Sequence, residues 1–457
     1  MNFLNQDDTI CALSTSAGMG AIALIRLSGK NALSITEKIF SKTLEDKPTH
    51  TAHFGRIKQG DQLIDEVVVT LFKNPGSFTG EDIVEIACHG SVYIQEQILE
   101  LLILRGARMA GPGEFSLRAF MNSKMDLSQT EAIADLISAN SKAAHKVAMH
   151  QMRGGFSKEI GELREGLLSF ASLVELELDF SEEDVEFADR QQLQELVKQV
   201  KQKVGVLLHS FKLGNVIKNG VPVAIVGSPN AGKSTLLNTL LNEEKAIVSD
   251  IAGTTRDVIE DTIILNGIEF RFIDTAGIRE TKDTIENLGI ERAYDQIRKA
   301  AVILLMIDLT ETPEKYVLKA IEQFSHNTNN EDQTLIPIFN KMDEVDLVEF
   351  KSLEGKGIFI SAKAKINIDT LVERLGATAG DYGTEDQTIV TNARHFDILK
   401  KCELSLVKVE EGLELQIPGD LLAMDIRETL HHLGEITGQI TTDDLLGNIF
   451  SNFCIGK

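Results

Sequence analysis

Gly227 to Ser234 read GSPNAGKS and match the spacing GxxxxGK[ST], directly after an apolar β-branched run and before the helical TLLNTLLN. In such a loop successive backbone N–H groups wrap phosphate oxygens. The lysine, here Lys233, reaches the outer phosphates, and the hydroxyl of Ser234 is offered to Mg2+. The binding run is expected to cover Asn230, Ala231, Gly232, Lys233, Ser234 and Thr235. Three further segments follow in order. In DTAG (Asp274, Thr275, Ala276, Gly277) the aspartate can hold Mg2+ through water, and the Gly277 N–H can sense a third phosphate. In NKMD (Asn340 to Asp343, with Lys341) the carboxylate of Asp343 can accept two hydrogen bonds from the N1–H and 2-amino group of guanine, a donor pair that adenine lacks. Ser361, Ala362 and Lys363 would complete the base pocket. The set predicts GTP binding and hydrolysis.

The position after DTAG is Ile278, where Ras-like enzymes carry a glutamine that orients water. An apolar side chain cannot polarise water, so another group must do so. Asn230 and the segment DIAGTTRD, Asp250 to Asp257, resemble GTPases in which K+ replaces an arginine finger. That resemblance implies K+ ligation by Asn230 and by the switch loop at Ser249, Ile251 and Thr254, with Thr255 joining Ser234 at Mg2+. It also implies nucleotide contacts along Ser249, Asp250, Ile251, Ala252, Gly253, Thr254 and Thr255. Taken alone, Asn230 reads equally well as a turn former.

These loops need a scaffold of alternating strands and helices. VPVAIVGS, EFRFIDTAG, AVILLMID, LIPIFNK and GIFISAK are strand-like, and helical stretches separate them, which predicts a doubly wound, Ras-like P-loop α/β G domain over 216–379. Residues 1–122 mix short β runs (AIALIRLSG, EVVVTLF, DIVEIAC) with helices such as SVYIQEQILELLILRG, an α+β domain. Helical periodicity fills 123–215 and resumes over 380–457, so the G domain is expected to be inserted into a discontinuous helical domain. The acidic ELELDFSEEDVEFADR within it reads as a solvated helix end or connector.

Composition bounds the function. With 43% hydrophobic and 25% charged residues the chain is ordinary globular material. No run reaches the roughly 18 to 20 apolar residues of a membrane span, and the acidic start lacks the layout of a signal peptide. Four separated cysteines argue against a zinc site or a disulfide scaffold, and a cytoplasmic location is expected. The net charge of −23 disfavours nonspecific affinity for nucleic acid. Residues 1–122 carry 11 Lys and Arg against 14 Asp and Glu, a net of −3, so most of the acidity lies beyond them. If the chain acts on RNA, a local basic patch or a partner must supply much of the phosphate attraction.

ARMAGPGEFSLRAFMNSKMDLSQTEAIADLI (107–137), GSFTGEDIVEIACHG (76–90), GTTRD and the terminal FCIGK together resemble the tRNA modification GTPase family MnmE, also called TrmE. The resemblance spans the whole chain. It implies an N-terminal tetrahydrofolate-binding domain that forms a homodimer, and a flavin-dependent (FAD) partner subunit in a heterotetramer or larger complex. It further implies a cycle driven by K+-stimulated pairing of G domains, which modifies C5 of the wobble uridine of tRNA. Arg26, Glu85, Lys124 and Lys457 match the family's positions for a tetrahydrofolate derivative in its 5-formyl or 5,10-methylene form. A carboxylate suits the pterin's N–H donors, and Arg and Lys suit the folate carboxylates. Without the resemblance Arg26 and Glu85 read as partners in structural salt bridges. Glu286 matches the family's catalytic glutamate, although a charge in a helix's first turn is its plainer reading.

A ribosome-assembly type GTPase, with flanking domains as RNA-docking adaptors, shares the same G-domain motifs. PGEFSLRAF, the missing basic tail and CIGK favour the modification enzyme. The terminal SNFCIGK carries Cys454 where chains often fray. The preceding DDLLGNIFSNF has apolar residues at helical spacing, so the tail is expected to be docked. The family resemblance then implies Cys454 as a second candidate catalytic residue.

Overall fold

The computed structural model describes residues 8–179, 190–242, 261–273, 298–327, 333–378, 388–451 and 453–456. The chain is multidomain α/β and divides into two compact units, 1–137 with 149–205 and 394–457, and 138–148 with 206–393.

The first unit holds a six-stranded sheet: β1 (Ile10–Leu13), β2 (Ile22–Ser28), β3 (Thr51–Gln59), β4 (Gln62–Phe72), β5 (Ile83–His89) and β6 (Arg108–Met109), in the order β3-β4-β5-β2-β1-β6. The expected strands at 21–29, 66–72 and 82–88 are β2, β4 and β5. β1, β3 and β6 were not anticipated, since the polar texture of TAHFGRIKQ and strands of two to four residues leave little pattern in sequence. Alternate residues of β2 (Ala23, Ile25, Leu27) and β5 (Val84, Ile86, Cys88) are buried beneath helices α1 (Ala32–Glu37) and α2 (Val92–Leu104), which supply Ile35, Ile98 and Leu102 to the same core. The period-two alternation of a sheet with one covered face therefore sets which side chains remain available on the other. Arg26 and Glu85 lie on that other face, directly opposite each other in the β2–β5 register.

Helices α3 (Glu114–Met121) and α4 (Leu127–Ser138) follow, then α5 (Lys142–Met152), α6 (Gly155–Asp179) and α7 (Arg190–Asn219). Phe156, Ile160, Leu163, Leu167, Ala171 and Val174 are buried along α6, at the three- and four-residue spacing of one helical face. Near the end of the chain α11 (Ala393–Glu414), α12 (Gly419–Thr437) and α13 (Asp443–Ser451) return to this unit; α12 packs along α6.

The second unit is built on β7 (Val221–Gly227), β8 (Asp261–Leu265), β9 (Ile268–Phe272), β10 (Val302–Asp308), β11 (Thr334–Asn340) and β12 (Ile358–Phe359), in the order β12-β11-β10-β7-β9-β8. All pairs are parallel except β8–β9. The predicted strands are β7, β9, β10, β11 and β12; β8 is an added edge strand. All seven residues of β10 are buried. Leu304 and Met306 enter one core and Ile303, Leu305 and Ile307 the other, so the strand is covered on both faces, as a continuous apolar run requires. Helix α8 (Lys233–Leu241) and α10 (Ile368–Thr378) cover the first face, and α9 (Glu314–Asn327) the second. No described helix is long and apolar enough to cross a membrane.

Candidate functional site

The phosphate loop joins the C-terminal end of β7 to α8. Gly232 has φ +98° and immediately precedes the helix; a Cβ there would stand 2.4 Å from the Asn340 amide nitrogen, so only glycine fits. Asn230 also lies in the left-handed region, at φ 63°, a conformation asparagine tolerates. The turn-forming reading thus describes its backbone, whatever its side chain binds. Lys233 Nζ donates to the carbonyls of Gly227 (2.8 Å) and Ser228 (2.9 Å), which holds the ammonium inside the loop. Burial pushes its pKa below the ordinary lysine value. Ser234 and Thr235 lie in the first turn of α8, with Thr235 exposed.

Asn340, at the end of β11, ties this loop to the segment 361–363, the expected base pocket. Its Nδ2 donates to the Ala231 carbonyl (2.8 Å), and its Oδ1 accepts from the Ala362 N–H (3.0 Å). Thr239 of α8 adds a bond from its hydroxyl to the Ala362 carbonyl at 3.0 Å. Asn340 and Ser361 are buried, whereas Asp343 and Lys363 are exposed at the strand ends. Ser361 Oγ accepts from the Ala364 N–H and so shapes the turn that carries Lys363. Lys341, at φ 63°, is ion-paired with buried Asp308 (2.5 Å). Burial alone would raise the Asp308 carboxyl, but Lys341 and Thr310 outweigh it and hold it below the usual carboxylate range. Asp308 and Thr239 were not singled out from sequence. The one ends a strand run and the other is an ordinary helix residue; only their spatial neighbours reveal their part.

Ser249, Asp250, Ile251, Ala252, Gly253, Thr254, Thr255, Asp274, Thr275, Ala276, Gly277, Glu286 and Lys457 lie outside the described residues. Ser234 and Asn230 are therefore the described members of the expected Mg2+ and K+ sets.

On the N-terminal sheet, Arg26 Nε and Nη2 both contact Oε1 of Glu85, at 2.9 and 2.8 Å. The rings of Phe78 and Phe115 stand 5.7 and 5.8 Å from the Arg26 guanidinium carbon, within cation–π range. The ion pair foreseen as the plain alternative is thus present. Because both contacts fall on one oxygen, the other carboxylate oxygen of Glu85 remains available to N–H donors. Lys124 is exposed, and its Nζ donates to the Pro75 carbonyl at 2.9 Å.

PGEF explains the seat of the terminal segment. Glu114 is buried and accepts from Arg108 (2.6 and 3.0 Å), the Gly111 N–H (2.8 Å) and Arg118 (3.3 Å). These contacts fix the turn at Gly113, φ 63°, where a Cβ would come within 2.8 Å of Phe453. The Gly113 N–H reaches the Cys454 carbonyl (3.3 Å), Pro112 bridges Ile455, and Ser14 Oγ donates to the Gly456 carbonyl (3.1 Å). Phe450 is buried with Leu117, Leu127 and Leu446. The tail is docked on the N-terminal sheet, as its apolar spacing led us to expect. Burial pushes the thiols of Cys11 and Cys88 up to about 11 and that of Cys402 up to about 12, whereas Cys454 is exposed.

The family model for the GTP-binding protein TrmE N-terminus matches residues 9–124, and that for the MnmE helical domain matches residues 127–454. The tRNA modification GTPase MnmE of Cytophaga hutchinsonii is 53% identical over 99% of this chain and 98% of its own length. The enzymes of that name from Flavobacterium psychrophilum and Bacteroides fragilis are 51% and 52% identical, over 98% and 99% of this chain and 99% and 100% of their own. The match runs through the regions that flank the G domain, where an assembly GTPase would differ. Phosphate loop, base segment and flanking domains agree, and the chain belongs to the MnmE (TrmE) family of tRNA modification GTPases.

Proposed function

We propose that this GTPase couples GTP hydrolysis to modification of C5 of the tRNA wobble uridine, where an aminomethyl or carboxymethylaminomethyl group is installed. The one-carbon unit would come from a tetrahydrofolate derivative, and a flavin-dependent partner would share the chemistry. The observation that carries the reading is the double contact of Asn340, which joins the phosphate loop to the base segment in a chain related to MnmE over its full length.

At the nucleotide, the half-buried ammonium of Lys233 neutralises phosphate charge, and exposed Asp343 accepts from guanine. Ser234 with Thr255 would hold Mg2+, which supplies charge neutralisation on the phosphates when bound. Asn230 with the backbone at Ser249, Ile251 and Thr254 would hold K+, in the place of an arginine finger. Glu286 would orient the attacking water, since Ile278 cannot. On the sheet, the free oxygen of Glu85 fits pterin N–H donors, and Lys124 and Lys457 fit the folate's carboxylates. Domains 1–122, 123–215 with 380–457, and 216–379 would assemble as a homodimer through the first of these. The setting is cytoplasmic.

Cells that lack the protein should contain unmodified wobble uridine, restored by the wild-type chain and not by Lys233→Ala. Normal modification without the protein would overturn the proposal. Two arms resolve the finer claims. GTP turnover should be much faster in K+ than in Na+, with that difference lost in Asn230→Ala; equal rates would remove the potassium mechanism. Calorimetry should show 5-formyltetrahydrofolate binding to the intact protein, weakened in Glu85→Gln.

A further inference from the structure

An acidic chain that handles tRNA must concentrate positive charge somewhere. On the side of the G-domain sheet remote from the phosphate loop lies an open cavity of about 630 Å3. Four basic residues line it, Lys212, Arg271, Arg298 and Lys299, together with the amides of Asn215, Asn219 and Gln333, and among the described residues no carboxylate lines it.

The fold gathers these groups from separate stretches. Lys212, Asn215 and Asn219 are spaced to share one face of the last turns of α7. Arg271 on β9 pairs in register with Pro222 at the start of β7. Arg298 and Lys299 lead into β10, whose entry is pinned by the Ala301 N–H on the Pro222 carbonyl (2.9 Å) and by Gln333 on the Ala300 carbonyl (2.9 Å). Lys212, Asn215, Asn219, Arg298 and Lys299 are exposed, and Arg271 is half-buried. The cavity therefore sits at the N-terminal ends of the parallel strands. The nucleotide loops occupy their C-terminal ends, about 20 Å away at roughly 3.3 Å per residue along β7. Glu269 packs beside Gly220, where burial raises its carboxyl above the ordinary value.

We propose that this basic cavity binds backbone phosphates of the substrate tRNA and supplies part of the local positive charge that a chain of net charge −23 needs for that task. Exposed Lys and Arg suit phosphodiester oxygens without reading sequence, and the amides can donate to phosphate or ribose oxygens. The inference rests on the reading of tRNA as substrate.

The test uses the full-length chain and fluorescently labelled tRNA, with affinity measured by anisotropy between about 50 and 200 mM KCl. The combined variant Lys212→Glu, Arg298→Glu, Lys299→Glu should bind about tenfold more weakly at the low end. Its log–log salt dependence should be shallower by about 2 to 3. GTP hydrolysis should be unchanged, since the three residues lie at the opposite ends of the strands from the phosphate loop. If the charge reversals disturb folding, the neutral set Lys212→Gln, Arg298→Gln, Lys299→Gln should show the same change in slope. Unaltered tRNA affinity and slope in a folded variant overturn the proposal. So does a variant that loses only its thermal stabilisation by inorganic tripolyphosphate, which would make the cavity a small-anion site. Failure of the wild-type chain to bind tRNA even at low salt would overturn the substrate reading itself, and this site with it.

Discussion

Asn340 makes two buried hydrogen bonds from one amide, one to each of the two loops proposed to act on the same nucleotide. Asn340→Ala would leave the Ala231 carbonyl and the Ala362 N–H without their partner, at a cost of about 1–3 kcal/mol each. GTP affinity measured by calorimetry should fall about 100-fold, a loss of about 2.7 kcal/mol, while the helical domain stays folded. An unchanged affinity would reduce the bridge to a packing detail. Cys454 raises a different question, because its contacts run through its backbone and its thiol is exposed. Cys454→Ser should therefore keep the tail docked and GTP hydrolysis intact while wobble-uridine modification is lost. Retained modification would return the residue to a structural role. Motif residues of this kind were legible because contiguous sequence defines a loop. Asp308, which holds Lys341, was not, because its partner lies 33 positions away.

The terminal segment is held as an element, by a turn and not by a helix face alone. Gly113 has a positive φ and stands against Phe453, so Gly113→Val adds a strained conformation of roughly 1–2 kcal/mol to a direct clash. The expected result is a tail that is cut readily in limited proteolysis, lost modification, and GTP turnover near the wild-type rate. Protection equal to wild type would show that Phe450 and its apolar neighbours suffice to seat the tail. In sequence, DDLLGNIFSNF announced an amphipathic element through its spacing. The surface that receives it, built from PGEF and the end of β1, could not be read, since no period links residues 13–14, 112–113 and 450–456.

Across the molecule, the chain enters the helical domain, leaves it and returns, and one buried cluster joins the two passages. Arg394 forks onto Glu131 (2.9 and 2.7 Å) and also donates to the carbonyls of Glu435 and Ile436, while His395 reaches the same carboxylate at 2.7 Å. Burial on its own raises Glu131, but His395 and Arg394 outweigh it and hold the carboxyl down at about 2. A folded-state pKa below the ordinary 4.5 means that the carboxylate's contribution is complete above pH 4.5 and is lost as pH falls toward 2. Glu131→Gln should destabilise the chain by about 3 kcal/mol at neutral pH, because it removes the buried carboxylate that half-buried Arg394 and buried His395 share. It should also flatten the acid limb of stability between those values, measured by denaturant unfolding across pH. A variant with the wild-type acid limb would show that other carboxylates govern acid unfolding.

The sequence by itself determined the parts whose information is local. These are the phosphate loop, the NKMD segment that follows β11, the parallel strands with their continuous apolar runs, and the insertion of one domain in another seen as a change of periodicity. Backbone geometry and period act over a few residues, so they leave a readable trace. Only the tertiary structure decided which distant residues meet: Asn340 between two loops, Arg26 against Glu85 between two rings, the tail against Gly113, and four cations around one cavity. Each of these joins segments through chain reversals whose register depends on the packed core, and no spacing in a linear string encodes that.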